Sequence, residues 1–217
     1  MRDALVVFAV AAVMLALASP SQSSVKPLPA DVQTQLEEAR VWRPGCPVPL
    51  SHLRLLTVTR WDFDGRKRTG QLVVDKAVAQ PLRQVFRKLY ELHFPIRHLS
   101  IDDAYGPVGK RPTDGDISGS FECRPAAPSP CARGRGTGSW SNHAYGLAVD
   151  LNPIENPYVG CGESHDRRAK RYRDRRIHRR GTVTQQVVAA FRSIGWGWGG
   201  SWTGDTKDYM HFSSTGH

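Results

Sequence analysis

Apolar positions along this chain change period several times, and each change marks an element. Residues 53–61, Leu-Arg-Leu-Leu-Thr-Val-Thr-Arg-Trp, and 70–75, Gly-Gln-Leu-Val-Val-Asp, are rich in aliphatic and β-branched side chains and read as strands. Asp64-Gly65 between them predicts a hairpin. From 77 to 92 apolar residues recur every three or four positions, the period of a helix with one buried stripe. Pro81 falls near its first turn, where a missing N–H costs little. Residues 31–40 read as a short helix with Asp31 near its cap, ended by Pro44, Pro47 and Pro49. Residues 95–102 read as a strand returning to the sheet, and 183–194 as a second amphipathic helix. Residues 143–151 predict a strand. The Trp-Gly run 195–202 leads into a last one at 208–212. Between them, 103–140 is rich in Gly, Pro, Ser and Asp, and so long an irregular stretch in a compact domain is functional or disordered. Strands and helices alternate without βαβ regularity, which predicts an α+β fold, a mainly antiparallel sheet with flanking helices.

Residues 4–18 are an unbroken apolar run, too short for a comfortable bilayer span and ending in Ala16-Leu17-Ala18. We read residues 1–24 as a signal peptide cleaved near 18–24; a retained anchor is the alternative, and either exports the rest to the envelope or the medium. Residues 25–41 then form a polar, proline-bearing arm. Export changes how Cys46, Cys123, Cys131 and Cys161 read: two disulfides are expected, with three connectivities open. No CxxC pair exists, which argues against a thiolate zinc site. The 217 residues, 40% of them hydrophobic, suffice for one domain with a proper core, expected as a monomer. A net charge of +10 implies an acidic partner, and 167–180 concentrates it. That run is either a solvated loop or a dock for anionic cell-envelope polymers. Export and the lack of any nucleic-acid motif exclude nucleic acid.

Two segments carry chemistry. Ser141-Asn-His143-Ala-Tyr-Gly146-Leu-Ala148-Val-Asp150 and Asp208-Tyr-Met-His211-Phe212 together offer two histidines and an aspartate as three zinc ligands, plus a second aspartate. A hydrolytic zinc needs three protein ligands, an open position and a nearby carboxylate. His143 and Asp150 lie seven apart, on opposite faces of one regular strand, so Gly146 must bend the chain between them. Asp208 and His211 are three apart and can face one ion across a turn. The six other histidines, among them His52, His98 and His165, lack partners at ligand spacing.

These motifs resemble the VanY-type D-alanyl-D-alanine carboxypeptidases, a zinc peptidase group that includes L-alanyl-D-glutamate endopeptidases and shares the hedgehog fold. Trp42-Arg-Pro-Gly-Cys46, Phe121-Glu-Cys123-Arg124, Asn152-Pro153 and Gly195-Trp196-Gly-Trp198-Gly-Gly-Ser-Trp202 are similar to family blocks in the same order. The resemblance covers roughly residues 42–212 and implies that 42–217 is the catalytic domain. It makes His143, Asp150 and His211 the ligands of one zinc ion, and Asp208 the general base. Arg124 becomes the holder of a substrate carboxylate or developing oxyanion. Ser141, Asp116 and Trp198 are candidates to line the cleft; hydrogen-bonding or packing roles are the alternatives. It also pairs Cys46 with Cys123, leaving Cys131 with Cys161, against a rival Cys123–Cys131 loop. The implied substrate is a peptidoglycan stem peptide, cut by a carboxypeptidase or by an endopeptidase; a non-catalytic envelope-binding module is the alternative.

Overall fold

A computed structural model describes residues 23–126, 138–160 and 163–217. All but the end of the expected signal peptide, and both Cys131 and Cys161, lie outside those residues.

A long hairpin organises the fold. Strands β2 (Leu53–Trp61) and β3 (Lys67–Asp75) pair antiparallel with Leu55 opposite Val73 and Leu56 opposite Leu72. Asp62 closes the turn, its Oδ1 accepting from the amides of Asp64 at 2.9 Å and Arg66 at 2.8 Å. The doubled apolar pairs Leu55-Leu56 and Val73-Val74 interrupt the alternation because both faces of the hairpin are buried. Leu56, Val58, Leu72 and Val74 face helix α2 (Ala79–Glu91), whose Leu82, Val85, Phe86 and Leu89 form the expected stripe. Leu53, Leu55 and Val73 face the other way, against helix α1 (Ala30–Glu38) and Phe121. Burial of each such side chain contributes about 1.5–3 kcal/mol.

The segment read as an arm belongs to this core. Strand β1 (Ser24–Pro27) pairs with β2 in antiparallel register, and Leu28, Val32 and Leu36 are buried behind it. Four residues ending in proline carry no period, so only the free edge of β2 reveals the strand. Residues 95–102 differ from expectation as well. They make only single bridges, Pro95 with Trp61 and His98 with Ile117. Ser100 then caps helix α3 (Ile101–Tyr105), its Oγ accepting from the amide of Asp103 at 3.0 Å.

The other half of the molecule holds short strands. The sheet β4 (Ala148–Asp150), β8 (His211–Ser213) and β6 (Gly197–Trp198) runs in that order, all antiparallel. Strand β5 (Tyr158–Val159) pairs with β7 (Lys207–Asp208). The fold is α+β, but its antiparallel strands fall into three small sheets among the described residues rather than one. Helix α4 (Gln185–Arg192), capped by Thr184, buries Val187, Val188 and Phe191 against the α2 cluster, and Phe191 stacks on Phe212 at 3.9 Å between centroids. Through that contact the large core fixes the strand that carries His211.

Candidate metal centre

Strand register alone places two of the expected ligands side by side. Asp150 lies opposite His211 across β4 and β8, and opposed residues point to one face. Their neighbours Val149 and Phe212 are opposed too and point into the core. His143 arrives differently. It sits in a 3-10 turn (Asn142–Tyr145) capped by Ser141, whose Oγ accepts from the His143 amide at 3.3 Å. Gly146 ends the turn with φ 68°, the left-handed region, so His143 never belongs to the strand and the odd spacing is no obstacle. A Cβ at Gly146 would also sit 2.6 Å from the Asp75 nitrogen, which donates to the Gly146 carbonyl at 3.1 Å. The turn is thus seated directly on the hairpin.

The three donor groups converge. His143 Nε2 is 3.3 Å from His211 Nδ1, Asp150 Oδ1 is 3.0 Å from His211 Nδ1, and Asp150 Oδ2 is 3.2 Å from His143 Nε2. Zinc bonds of about 2.0–2.1 Å at tetrahedral angles place donor atoms roughly 3.3 Å apart, so this set fits a single zinc ion. The second contact of His143 assigns its tautomer: Nδ1 lies 2.5 Å from the Ser120 carbonyl and must donate to it. In the neutral ring this leaves the Nε2 lone pair free for a metal. Among the described residues, these three side chains are the group able to hold a metal ion.

The electrostatics agree. Burial opposes a charge on His143, yet the Asp150 carboxylate outweighs it and holds the imidazole pKa above its ordinary value. Burial also opposes ionisation of Asp150, and the two histidines reverse this, holding it well below the carboxylate range. Asp208 behaves oppositely. Burial first, then the charge of Asp150, push its pKa up to about 7. Its Oδ1 is buried and without a hydrogen-bond partner among the described residues. The closing strand pair β5–β7 holds it there, with Gly199 packed so closely that a Cβ would lie 2.9 Å from the Asp208 Cβ.

The remaining candidates separate. Arg124 lines the same cavity as His143 and Asp150. Its Nε donates to Glu122 Oε2 at 2.9 Å. Ser141 is the turn cap described above. Asp116 lies elsewhere: 1% exposed, it accepts from Arg97 Nε at 2.7 Å and from the Ile154 amide at 2.9 Å, and so holds the loop rather than lining the cleft. Trp198 is opposite Phe212, on the core face of β8, with Nε1 donating to the Tyr209 carbonyl at 2.8 Å. Its neighbour Trp202 is the tryptophan beside the ligands, with its ring 6.1 Å from that of His211. The structure bonds Cys46 to Cys123 across 77 residues, next to Arg124. In the basic run, Arg168 pairs with Asp166, Arg173 with Glu163 and Arg176 with Asp174, while Arg175 donates to the Glu155 carbonyl and to Asn156 Oδ1. Three of its arginines are therefore compensated locally, and Arg175 is fixed in place without being neutralised. No helix among the described residues is long and apolar enough to cross a membrane.

Sequence reasoning passed over Ser120, Arg43 and Arg111. Ser120 acts through a carbonyl that every residue possesses, so no side-chain pattern could reveal it. The two arginines belong to loops without period.

Residues 135–214 match the family model described as D-alanyl-D-alanine carboxypeptidase, a stretch that contains His143, Asp150, Asp208 and His211. The resemblance seen in those motifs is thereby borne out. No curated protein and no solved structure matches the chain.

Proposed function

We propose that this chain is an exported zinc peptidase that hydrolyses peptide bonds in peptidoglycan stem peptides, of the D-alanyl-D-alanine carboxypeptidase type. One observation carries the reading: three donor groups that converge on one point stand beside a buried aspartate whose Oδ1 has no hydrogen-bond partner among the described residues. The family match to residues 135–214 supports it. His143, Asp150 and His211 would hold the metal. When bound, zinc supplies Lewis acidity toward the scissile carbonyl and toward water.

The protein's own residues do the rest. Asp208, within electrostatic reach of Asp150, His211 and His143, is suited to take a proton from the attacking water as its oxygen joins the carbonyl carbon. It then delivers that proton to the amine nitrogen as the C–N bond breaks. Arg124 offers a guanidinium to the oxygen on which negative charge develops, or to a terminal carboxylate. The Ser120 carbonyl keeps the His143 ring in the tautomer that leaves Nε2 free, and Trp202 walls the site beside His211.

Metal-replete protein should contain one zinc per chain, and Asp208→Asn should keep that zinc while losing 100-fold or more in kcat. Retention of full activity by Asp208→Asn would show that the base is another group. Mass spectrometry of the products identifies the bond: loss of one terminal alanine marks a carboxypeptidase, and cleavage beside glutamate an endopeptidase. Failure to bind zinc at all would remove the enzyme reading.

A further inference from the structure

The cavity that contains His143 and Asp150 has a volume of about 540 Å³ and is also lined by Arg40, Arg43, Arg111 and Arg124. Its two carboxylates are already committed. Glu122 is 2.9 Å from Arg124, and Asp150 is 3.0 Å from His211 and 3.2 Å from His143. The other three guanidiniums have no ion pair among the described residues. Arg43 Nη1 donates to the Cys123 carbonyl at 3.0 Å and Arg111 Nε to the Gly106 carbonyl at 2.6 Å. A carbonyl fixes a guanidinium in place without neutralising it. Residues 127–137 contain neither Asp nor Glu, so they offer no counter-charge either.

Three exposed arginines elsewhere show the paired alternative, although Arg167, Arg179, Arg180 and Arg192 also have no ion pair among the described residues; Arg43 and Arg111 differ from these in lining the cavity of the metal ligands. Arg66, Arg168 and Arg176 each pair with an aspartate two residues earlier, Asp64, Asp166 and Asp174. Three uncompensated guanidiniums, drawn from two separate loops into the cavity that holds the metal ligands, match an anionic occupant. Each retains free N–H groups in the planar fork that suits a carboxylate.

Resting on the peptidase reading above, we infer that Arg43 and Arg111 are specificity-determining residues that receive a substrate carboxylate distinct from the one offered to Arg124. The preferred substrate is then an acidic peptide with at least two carboxylates, one at its terminus and one internal. Arg40 adds attraction without a fixed contact.

Paired peptides ending in D-Ala-D-Ala and differing only in an internal glutamate or glutamine test this by calorimetry on the metal-free protein. Wild-type protein should bind the glutamate peptide about 10- to 100-fold more tightly, the range of a hydrogen bond to a charged group. In Arg111→Gln and Arg43→Gln that ratio should fall to within about threefold. Arg111→Lys, which keeps the charge without the fork, should restore part of it. With zinc-loaded enzyme the same pair should differ in KM far more than in kcat. Equal binding of the two peptides by wild-type protein overturns the inference, as does full discrimination in both glutamine variants. The wild-type comparison requires no variant to fold. Absence of hydrolysis of either peptide would instead sink the peptidase reading and leave the binding ratio standing.

Discussion

A single guanidinium serves two buried carboxylates away from the metal ligands. Arg97 donates to Asp116 at 2.7 Å and to Glu155 at 3.0 Å, and both acids are 1% exposed. Glu155 Oε1 also lies 3.4 Å from the Tyr172 hydroxyl, while Oε2 has no partner among the described residues. One positive charge does not neutralise two negative ones, so a proton completes the set. Burial first, then Asp116, raise the Glu155 pKa from 4.5 to about 7. The folded protein therefore holds this proton more tightly than the unfolded chain does. Its contribution to stability is fully present below about pH 4.5 and is lost as the pH rises through about 7. The loss is on the order of 3 kcal/mol. Urea titrations from pH 4 to 8 should show this decline, and Glu155→Gln should flatten it. A wild-type curve with the same slope as that of the variant would exclude the shared proton. Little of this was legible in the sequence. Between a cleft position and a loop-orienting hydrogen bond for Asp116 the sequence does not decide, because Arg97, which claims it, sits 19 positions away.

Elements with a clear period were legible and those without one were not. The strand at 53–61 and the helix expected at 77–92 were visible because their faces bury different sets of side chains. The ligand-bearing elements are three or four residues long, below any period, and only the chemistry of their side chains marked them. Their geometry is set instead by a turn. Gly146→Ala would force an alanine to φ near 68° and bring its Cβ within 2.6 Å of the Asp75 nitrogen. A left-handed residue with a side chain costs about 1–2 kcal/mol, and the clash adds to that. Relief requires the turn to lift from the hairpin, which carries His143 with it. We expect zinc affinity in Gly146→Ala to fall at least tenfold together with the stability. Thr184→Ala provides the comparison. It removes the cap of α4, at about 1 kcal/mol, on an element that holds no ligand. Its zinc affinity should equal that of the wild type. Equal zinc affinity in both variants would mean that the turn does not position His143.

At the scale of the whole molecule, two closures border the cleft, a covalent bond and the metal ion its ligands would hold. The Cys46–Cys123 bond closes a loop of 77 residues that contains the hairpin, α2 and α3. Loop-closure entropy for that length amounts to about 4–5 kcal/mol. Zinc, held by residues 143, 150 and 211, would tie the second half to itself. Saturating zinc at 1,000 times its Kd adds about 4 kcal/mol. The cluster between the hairpin, α2 and α4 contains neither the disulfide nor the ligands, so each closure can be removed without emptying it, while Cys123 is buried in the second cluster beside Leu53, Leu55 and Val73. The consequences then differ. Chelation should lower Tm and leave the binding of acidic peptides intact, because the arginines do not depend on the ion. Replacing both Cys46 and Cys123 by Ser should lower the stability by a similar amount but weaken peptide binding. Arg43 is anchored on the Cys123 carbonyl, and Arg124 follows it in the chain. Zinc affinity should remain within about threefold of wild type in that variant, since the β4–β8 register and the backbone contacts of Ser120 and Glu122 with His143 do not pass through the sulfurs. Loss of zinc binding along with the disulfide would instead mean that the two halves fold as one cooperative unit with the cleft at its centre.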